Sequence, residues 1–497
     1  EEAGAARLSG SASREAAETE APGAEGTERP PNVLFILVDT LRADHMSLYG
    51  YARRTSPELE RFAAGGVTFT EAMAAKTKTS PSVASLFTGT YPYTHGIVQC
   101  RTVLDDSALT LAEVLHGHGF ATHSIVANVN VGSVFNFDQG FDEVEDLWRD
   151  ESTRLAAGVT DHALDWLRSR GQGKRPFFLY VHYLDPHSHY DAPAPFKDMF
   201  VGDDEYRRLA GVTAPLGEDH VGVIRESVRL EEHPREVAFY VARYDGEIAY
   251  ADHQIGRLLD GLRSLGLERD TLVVFTSDHG ESLSDHDVYF SHGGFAYDEQ
   301  ARVPLVLRLP GRLPAGARVD AVVQNAALAP TILEALGIEA PSVMELQSLW
   351  PVAEGKEEPA PPAGRAAFIE GGHKVWDIKT AIRTRRWELI DNPDGIGTLG
   401  GRYDLKTVLN MRRKGKAILL FSTGRQALRR YELYDLEKDP GEMTNLADRR
   451  PAVTEELLGR LHRWRERGRG RPRREPVART DMKEDVIEQL KSLGYVD

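Results

Sequence analysis

Residues 31–44 read P-N-V-L-F-I-L-V-D-T-L-R-A-D, and from Val33 to Val38 the run is unbroken apolar. That is the pattern of a strand buried on both faces, as in parallel sheets covered by helices on either side. The run stops at Asp39. Residues 176–189, P-F-F-L-Y-V-H-Y-L-D-P-H-S-H, repeat the pattern and lead into Asp185, His187 and His189. Residues 271–281, T-L-V-V-F-T-S-D-H-G-E, repeat it again and end in Asp278 and His279. In open α/β sheets ligands bind beyond the carboxyl ends of the strands. One aspartate at a strand end is most often a turn or cap residue. Three strands ending in carboxylate and imidazole predict a shared site.

Around these strands the chain alternates. Residues 109–118 are amphipathic and precede a strand at 121–127; 155–170 have helical spacing; 237–265 form a long amphipathic stretch leading into the strand at 271. A further apolar strand at 303–309 and a helix at 326–336 follow. This alternation predicts an α/β domain over 31–350, a mainly parallel sheet with helices on both faces. The Pro/Glu/Gly-rich stretch 351–364 reads as a linker. Residues 365–465 read as a smaller antiparallel sheet of short strands, with turn residues such as Asn392-Pro393-Asp394-Gly395, packed by one helix that begins near 451. Residues 466–497 read as an Arg/Gly/Pro-rich tail with a last helix at 485–493. Residues 1–30 hold almost no large apolar side chain and read as a disordered linker.

The chain has 497 residues, a formal charge of −16 and a pI near 5.6. Length suffices for a large catalytic domain and a smaller companion. The acidic balance argues against nucleic acid as a partner. The single cysteine, Cys100, permits no internal disulfide. No apolar run approaches the roughly 18 residues of a transmembrane segment. A flexible tether ahead of an enzyme fits a periplasmic or extracellular protein, lipid-anchored or free, and fits a cytoplasmic one nearly as well. Nothing in the sequence sets the oligomeric state.

Residues 77–89, T-K-T-S-P-S-V-A-S-L-F-T-G, predict a helix with Ser80 as N-cap and Pro81 in the first helical position. Thr79 then lies at the helix mouth, where free N–H groups and the helix dipole favour anions. By itself this is also the sequence of an ordinary capped helix.

Together these segments resemble the sulfatase branch of the alkaline phosphatase superfamily, over most of the chain. Residues 31–44 resemble its opening strand and metal aspartate, 80–92 its nucleophile helix, and 177–187 its central histidine segment. S-D-H-G-E with 291–305, S-H-G-G-F-A-Y-D-E-Q-A-R-V-P-L, resembles its second metal segment, and 431–446 its C-terminal signature. Two departures stand out. The family's C/S-x-P-x-R motif, whose first residue is oxidised to formylglycine, has Thr79 and Val83 here; the second aspartate of the opening strand is Thr40. Threonine cannot become that aldehyde, so the resemblance implies an enzyme without formylglycine. A formylglycine hydrate expels sulfate with its second hydroxyl, which threonine lacks, whereas phosphothreonine yields to metal-assisted in-line displacement.

The resemblance therefore implies a hydrolase of phosphodiesters, phosphonates or related phosphoesters, with Thr79 as nucleophile and Asp39, Thr79, Asp278 and His279 around a divalent ion. Zn or Mn is favoured by the imidazole, with Ca or Mg as alternatives. His187 and His292 are expected to be catalytic, and Lys78 and Asn128 to bind substrate. A competing alignment gives a second metal site from Asp185, His189 and His292. Other readings are a sulfatase acting without formylglycine, a phosphoglycerol- or phosphoethanolamine-type transferase, and a non-catalytic glycan-binding member. The substrate in every case is an anionic ester, as a small molecule or carried on a glycan or lipid.

Overall fold

The structure is a computed structural model. It describes residues 29–170, 173, 175–217, 223–356, 365–372, 378–393, 430–469, 477–479 and 482–493. Residues 1–28 of the expected disordered linker at 1–30, most of the 351–364 linker and the Asp394-Gly395 half of the predicted turn lie outside these residues.

An eight-stranded sheet forms the body, in the order Ala317–Gln324, Val67–Met73, Arg302–Arg308, Thr271–Ser277, Asn32–Val38, Phe177–Tyr183, Ala121–Val126, Glu143–Asp146. Arg302–Arg308 runs antiparallel to both its neighbours, and the other pairings are parallel. The three apolar runs lie side by side in the middle. Val33 to Val38 is wholly buried, and the register pairs Val38 with both Tyr183 and Ser277. Asp39, Asp185 and Asp278 consequently leave one edge of the sheet together. The long helix Val237–Ser264, and Ala156–Arg170 beside it, carry the buried apolar stripes that the sequence predicted.

The strands Val67–Met73, Glu143–Asp146 and Ala317–Gln324 were not legible in the sequence. They are peripheral and mix polar with apolar residues, so neither strict alternation nor an apolar run marks them.

The second unit is a four-stranded antiparallel sheet, Ala367–Gly371, Lys379–Arg383, Trp387–Asp391, Tyr431–Asp435, covered by the helix Pro451–Arg469. It is tied to the body beside the helix Thr79–Thr88. Glu370 N donates to Ala75 O, Thr77 N donates to Glu370 O, and Lys76 Nζ donates to Gly371 O at 3.3 Å. The chain then returns to the body: Val477–Ala478 pairs with Thr102–Val103, and in the helix Glu484–Ser492 Asp485 bonds Arg149 at 2.7 Å. The last helix is thus docked on the main domain.

Candidate active site

The helix Thr79–Thr88 begins two residues earlier than capping rules suggested. Lys78 occupies the N-cap with extended backbone, and Thr79, Ser80 and Pro81 form the first turn. Ser80 does not cap; its hydroxyl donates to Asn130 O at 3.0 Å. Pro81 still sits where a missing N–H is harmless. Thr79 is fully buried, with Oγ1 3.2 Å from His279 Nε2. Val83, at the family's arginine position, faces the apolar core.

Asp39, Asp278 and His279 converge, with ligand atoms all within 4.8 Å of one another and no solvent exposure. His279 Nε2 lies 3.3 Å from Asp278 Oδ2 and 3.9 Å from Asp39 Oδ1. The opposite ring nitrogen, Nδ1, is 2.9 Å from Gly280 O. A carbonyl can only accept, so Nδ1 carries the proton and Nε2 presents a lone pair. The outer carboxylate oxygens are satisfied: Asp278 Oδ1 accepts from Thr40 N and His279 N, and Asp39 Oδ2 accepts from Asn128 Nδ2 at 2.6 Å. The inner oxygens, Asp39 Oδ1 and Asp278 Oδ2, have no hydrogen-bond partner. Burial and the facing Asp278 push the Asp39 carboxyl well up, and burial raises Asp278 also, against the pull of His279. Two orphaned carboxylate oxygens, an imidazole lone pair and a hydroxyl fit a divalent cation, which would offset the cost of burying this charge. Thr40 takes a left-handed φ of 54°, unusual for a β-branched residue, and this aims its N–H at Asp278.

Across from Thr79 stand two more imidazoles. The His292 ring is 4.5 Å from that of His279 and 5.2 Å from that of His187. His292 Nδ1 is held by Glu281 Oε2 at 3.2 Å, and His187 Nδ1 donates to Ser188 O at 2.9 Å. Burial, then the neighbouring His292, depresses His187 to about 3; burial and His279 hold His292 well below its usual value. In this cluster both rings are neutral at pH 7, unlike the near-neutral titration that free histidine would give. Lys78 Nζ donates to Gln99 Oε1 at 3.1 Å, and burial lowers its pKa.

Two sequence expectations change. Asp185, His189 and His292 do not come together: Asp185 Oδ2 accepts from Ala156 N at 2.9 Å and shares a buried pocket with Glu247, while the His189 side chain is exposed. The cause is the turn after Tyr183, which sends Asp185 toward the start of the helix Ala156–Arg170. Asn128, expected to meet substrate, gives one amide N–H to Asp39 and accepts from Asn130 N on its Oδ1. Lys76, three residues before Thr79, is buried against Glu370 at 3.8 Å.

Two residues at the site went unassigned. His182 is fully buried 3.8 Å from Asp39 Oδ2, with neither ring nitrogen hydrogen-bonded. Its signal was a histidine inside an otherwise apolar strand. Glu281 is 1% exposed and raised to about 6 by burial.

A large α/β sheet with a buried hydroxyl, carboxylates and imidazoles at its carboxyl edge is the framework of an ester hydrolase, and comparison with known proteins agrees. Residues 31–338 match the Sulfatase family model, and residues 286–407 match the model described as N-sulphoglucosamine sulphohydrolase, C-terminal. The chain belongs to the sulfatase family of the alkaline phosphatase superfamily and is a hydrolase acting on ester bonds. It is 24% identical to an N-acetylglucosamine-6-O-sulfatase of Bacteroides thetaiotaomicron, over 86% of this chain and 84% of that one. It is 29% identical to the multifunctional alkaline phosphatase superfamily protein PehA of Trinickia caryophylli, over 65% and 77%. Its fold resembles that of the phosphonate monoester hydrolase of Agrobacterium radiobacter, with a TM-score of 0.66, 24% identity and coverage of 88% and 96%. Family members generally use a divalent metal, and the Asp39–Asp278–His279 group is a candidate site for one. Among the described residues no helix is long and apolar enough to cross a membrane.

Proposed function

We propose that this chain hydrolyses phosphodiesters, phosphonate esters or related phosphoesters, with unmodified Thr79 as the nucleophile. One observation carries the reading: Thr79 Oγ1 is buried at a helix start, 3.2 Å from the lone-pair nitrogen of His279. Asp39, Asp278 and His279 would hold the divalent ion, Zn or Mn before Ca or Mg. When bound, the ion would supply Lewis-acid activation of the hydroxyl and charge neutralisation for the ester oxygens.

The chain's own groups do the rest. The first-turn N–H groups of the helix Thr79–Thr88 and the Lys78 ammonium face the anionic oxygens of the ester. Thr79 Oγ attacks phosphorus, and the bond to the leaving oxygen breaks as the new P–O bond forms. The Thr79 proton passes to the Nε2 lone pair of the neutral His292 or His187 ring, which returns it to the departing oxygen. Water then attacks the phosphothreonine in line, releasing the product and restoring the threonine hydroxyl. Asn128 fixes the Asp39 carboxylate, and Glu281 fixes the His292 ring.

A sulfate-ester substrate is the second reading, favoured by the relatives named as sulfatases. Assay of the metal-replete enzyme on aryl sulfate, phosphate monoester, diester and phosphonate separates the two. Good turnover of the sulfate with none of the phosphorus esters would overturn the first. A sugar-linked anionic ester and a periplasmic or extracellular location fit either.

A further inference from the structure

We propose that the arginine-lined groove between the helix Pro451–Arg469 and the edge strand Ala367–Gly371 is a docking site for a polyanionic saccharide chain, separate from the cleavage site. The groove encloses about 590 Å³ and is lined by Phe368, Arg460, His462, Arg463, Glu466 and Arg467. That volume lies in the range of small-molecule clefts.

The arginines of this helix divide by face. Arg465 turns inward and bonds Asp391 at 2.7 Å, bracing the small sheet. Arg460, Arg463 and Arg467 follow the i, i+3, i+7 spacing of a single stripe and span about 10 Å along the axis. His462, Arg463 and Arg467 are exposed, and among the described residues neither Arg463 nor Arg467 is in an ion pair. A linear row of cations suits an extended chain of anions better than a single small one.

The floor is aromatic. Trp464 is buried and stacks on half-buried Phe368, with centroids 5.0 Å apart and planes 2° from parallel. An apolar ring beside guanidinium groups matches a sugar bearing anionic substituents. The charge is also segregated: residues 460–467 hold four arginines and one glutamate in a chain of net charge −16. Such a patch concentrates anionic polymer locally despite the acidic whole. The groove lies beside the far end of the nucleophile helix, since Trp464 packs edge-on against Tyr91 and Tyr93, just beyond Thr88. A saccharide is chosen over other polyanions because the chain belongs to a family with a relative named for a sulfated sugar. The inference rests on the glycan form of the proposed substrate for that choice alone.

The test measures binding without turnover, so its failure is distinct from failure of the proposed reaction. The full chain is titrated with a dextran sulfate fragment, neutral dextran, a single-stranded oligonucleotide and phosphatidylglycerol vesicles. Dextran sulfate is expected to bind in a salt-sensitive way, and neutral dextran not at all. Arg463→Ser/Arg467→Ser should weaken binding about tenfold, the scale of two partly exposed charge contacts. Arg449→Ser/Arg450→Ser, which alters net charge equally at exposed positions outside the groove, should change it less than about twofold. Hydrolysis of a small soluble ester should be the same in both variants. The proposal is overturned by no binding to dextran sulfate, by equal weakening in both variants, or by tighter binding of the oligonucleotide or vesicles.

Discussion

Asp278→Asn should stabilise the metal-free protein while removing its response to metal. In the structure Asp278 Oδ1 accepts from Thr40 N and His279 N, and Oδ2 faces Asp39 Oδ1, where neither has a partner. An asparagine keeps both accepted bonds through its Oδ1. It puts an N–H donor where the orphaned oxygen stood, aimed at an orphaned acceptor. The ligand atoms lie within 4.8 Å, and two like charges at that distance repel by about 3 kcal/mol at an effective dielectric of 20. Partial protonation of the raised Asp39–Asp278 pair lowers the realised gain, so about 1–3 kcal/mol is expected at pH 7. The assay is denaturant unfolding of chelator-treated wild type and variant, repeated with added Zn, Mn, Ca or Mg. The wild type should gain stability with the correct metal, by mass action. The variant should begin higher and gain little. A variant less stable than the apo wild type, or one stabilised by metal as strongly, would refute the view that these carboxylates are held for a cation.

Thr79→Ala should lose turnover by about 10³-fold or more with an unchanged unfolding transition, whereas near-native activity would remove Thr79 from the reaction. Asn128→Ala leaves Asp39 Oδ2 without its donor and should weaken metal binding about 10–100-fold by competition titration; a change mainly in KM with metal affinity intact would return Asn128 to the substrate. Co-expression with a formylglycine-generating system should leave specific activity unaltered, and a mass shift at Thr79 would contradict this. His286 tests pH dependence away from the metal group. Burial disfavours its charge, but Glu299 at 3.2 Å and the Glu442 carbonyl outweigh that and push it up to about 9. Its folded pKa exceeds the unfolded value near 6.5, so the contribution is full below about pH 6.5 and is lost as pH rises through 9. His286→Asn should therefore cost about 3 kcal/mol at pH 6 and much less at pH 9.5, and an equal cost at both would count against the ion pair.

Much of the scaffold was legible in the linear chain because burial on both faces of a central strand leaves a local mark. The runs at Val33, Phe177 and Thr271 need only their own residues to be read as interior parallel strands. Edge and peripheral strands such as Glu143–Asp146 carry no such mark, since water or the second sheet covers one side. The helix Thr79–Thr88 was legible as a helix but not in its first residue. Its Ser and Thr hydroxyls had equally good local caps and distant partners, and the distant partners, His279 and Asn130, prevailed.

The sequence by itself determined which chemistry is available: carboxylates and imidazoles at the ends of buried strands, and a threonine where the family forms an aldehyde. Which of those groups meet was decided only by the tertiary structure. Thr79 and His279 are 200 residues apart and 3.2 Å distant. Asp185 and His189, with the same residue types at the same kind of strand end, turn away to the helix Ala156–Arg170 and to solvent. His182, inside the strand rather than beyond it, lies beside Asp39. The reason is physical. A side chain's type and its strand are local properties, whereas the direction of the backbone past the sheet edge depends on the hydrogen bonds that the next turn finds across the fold.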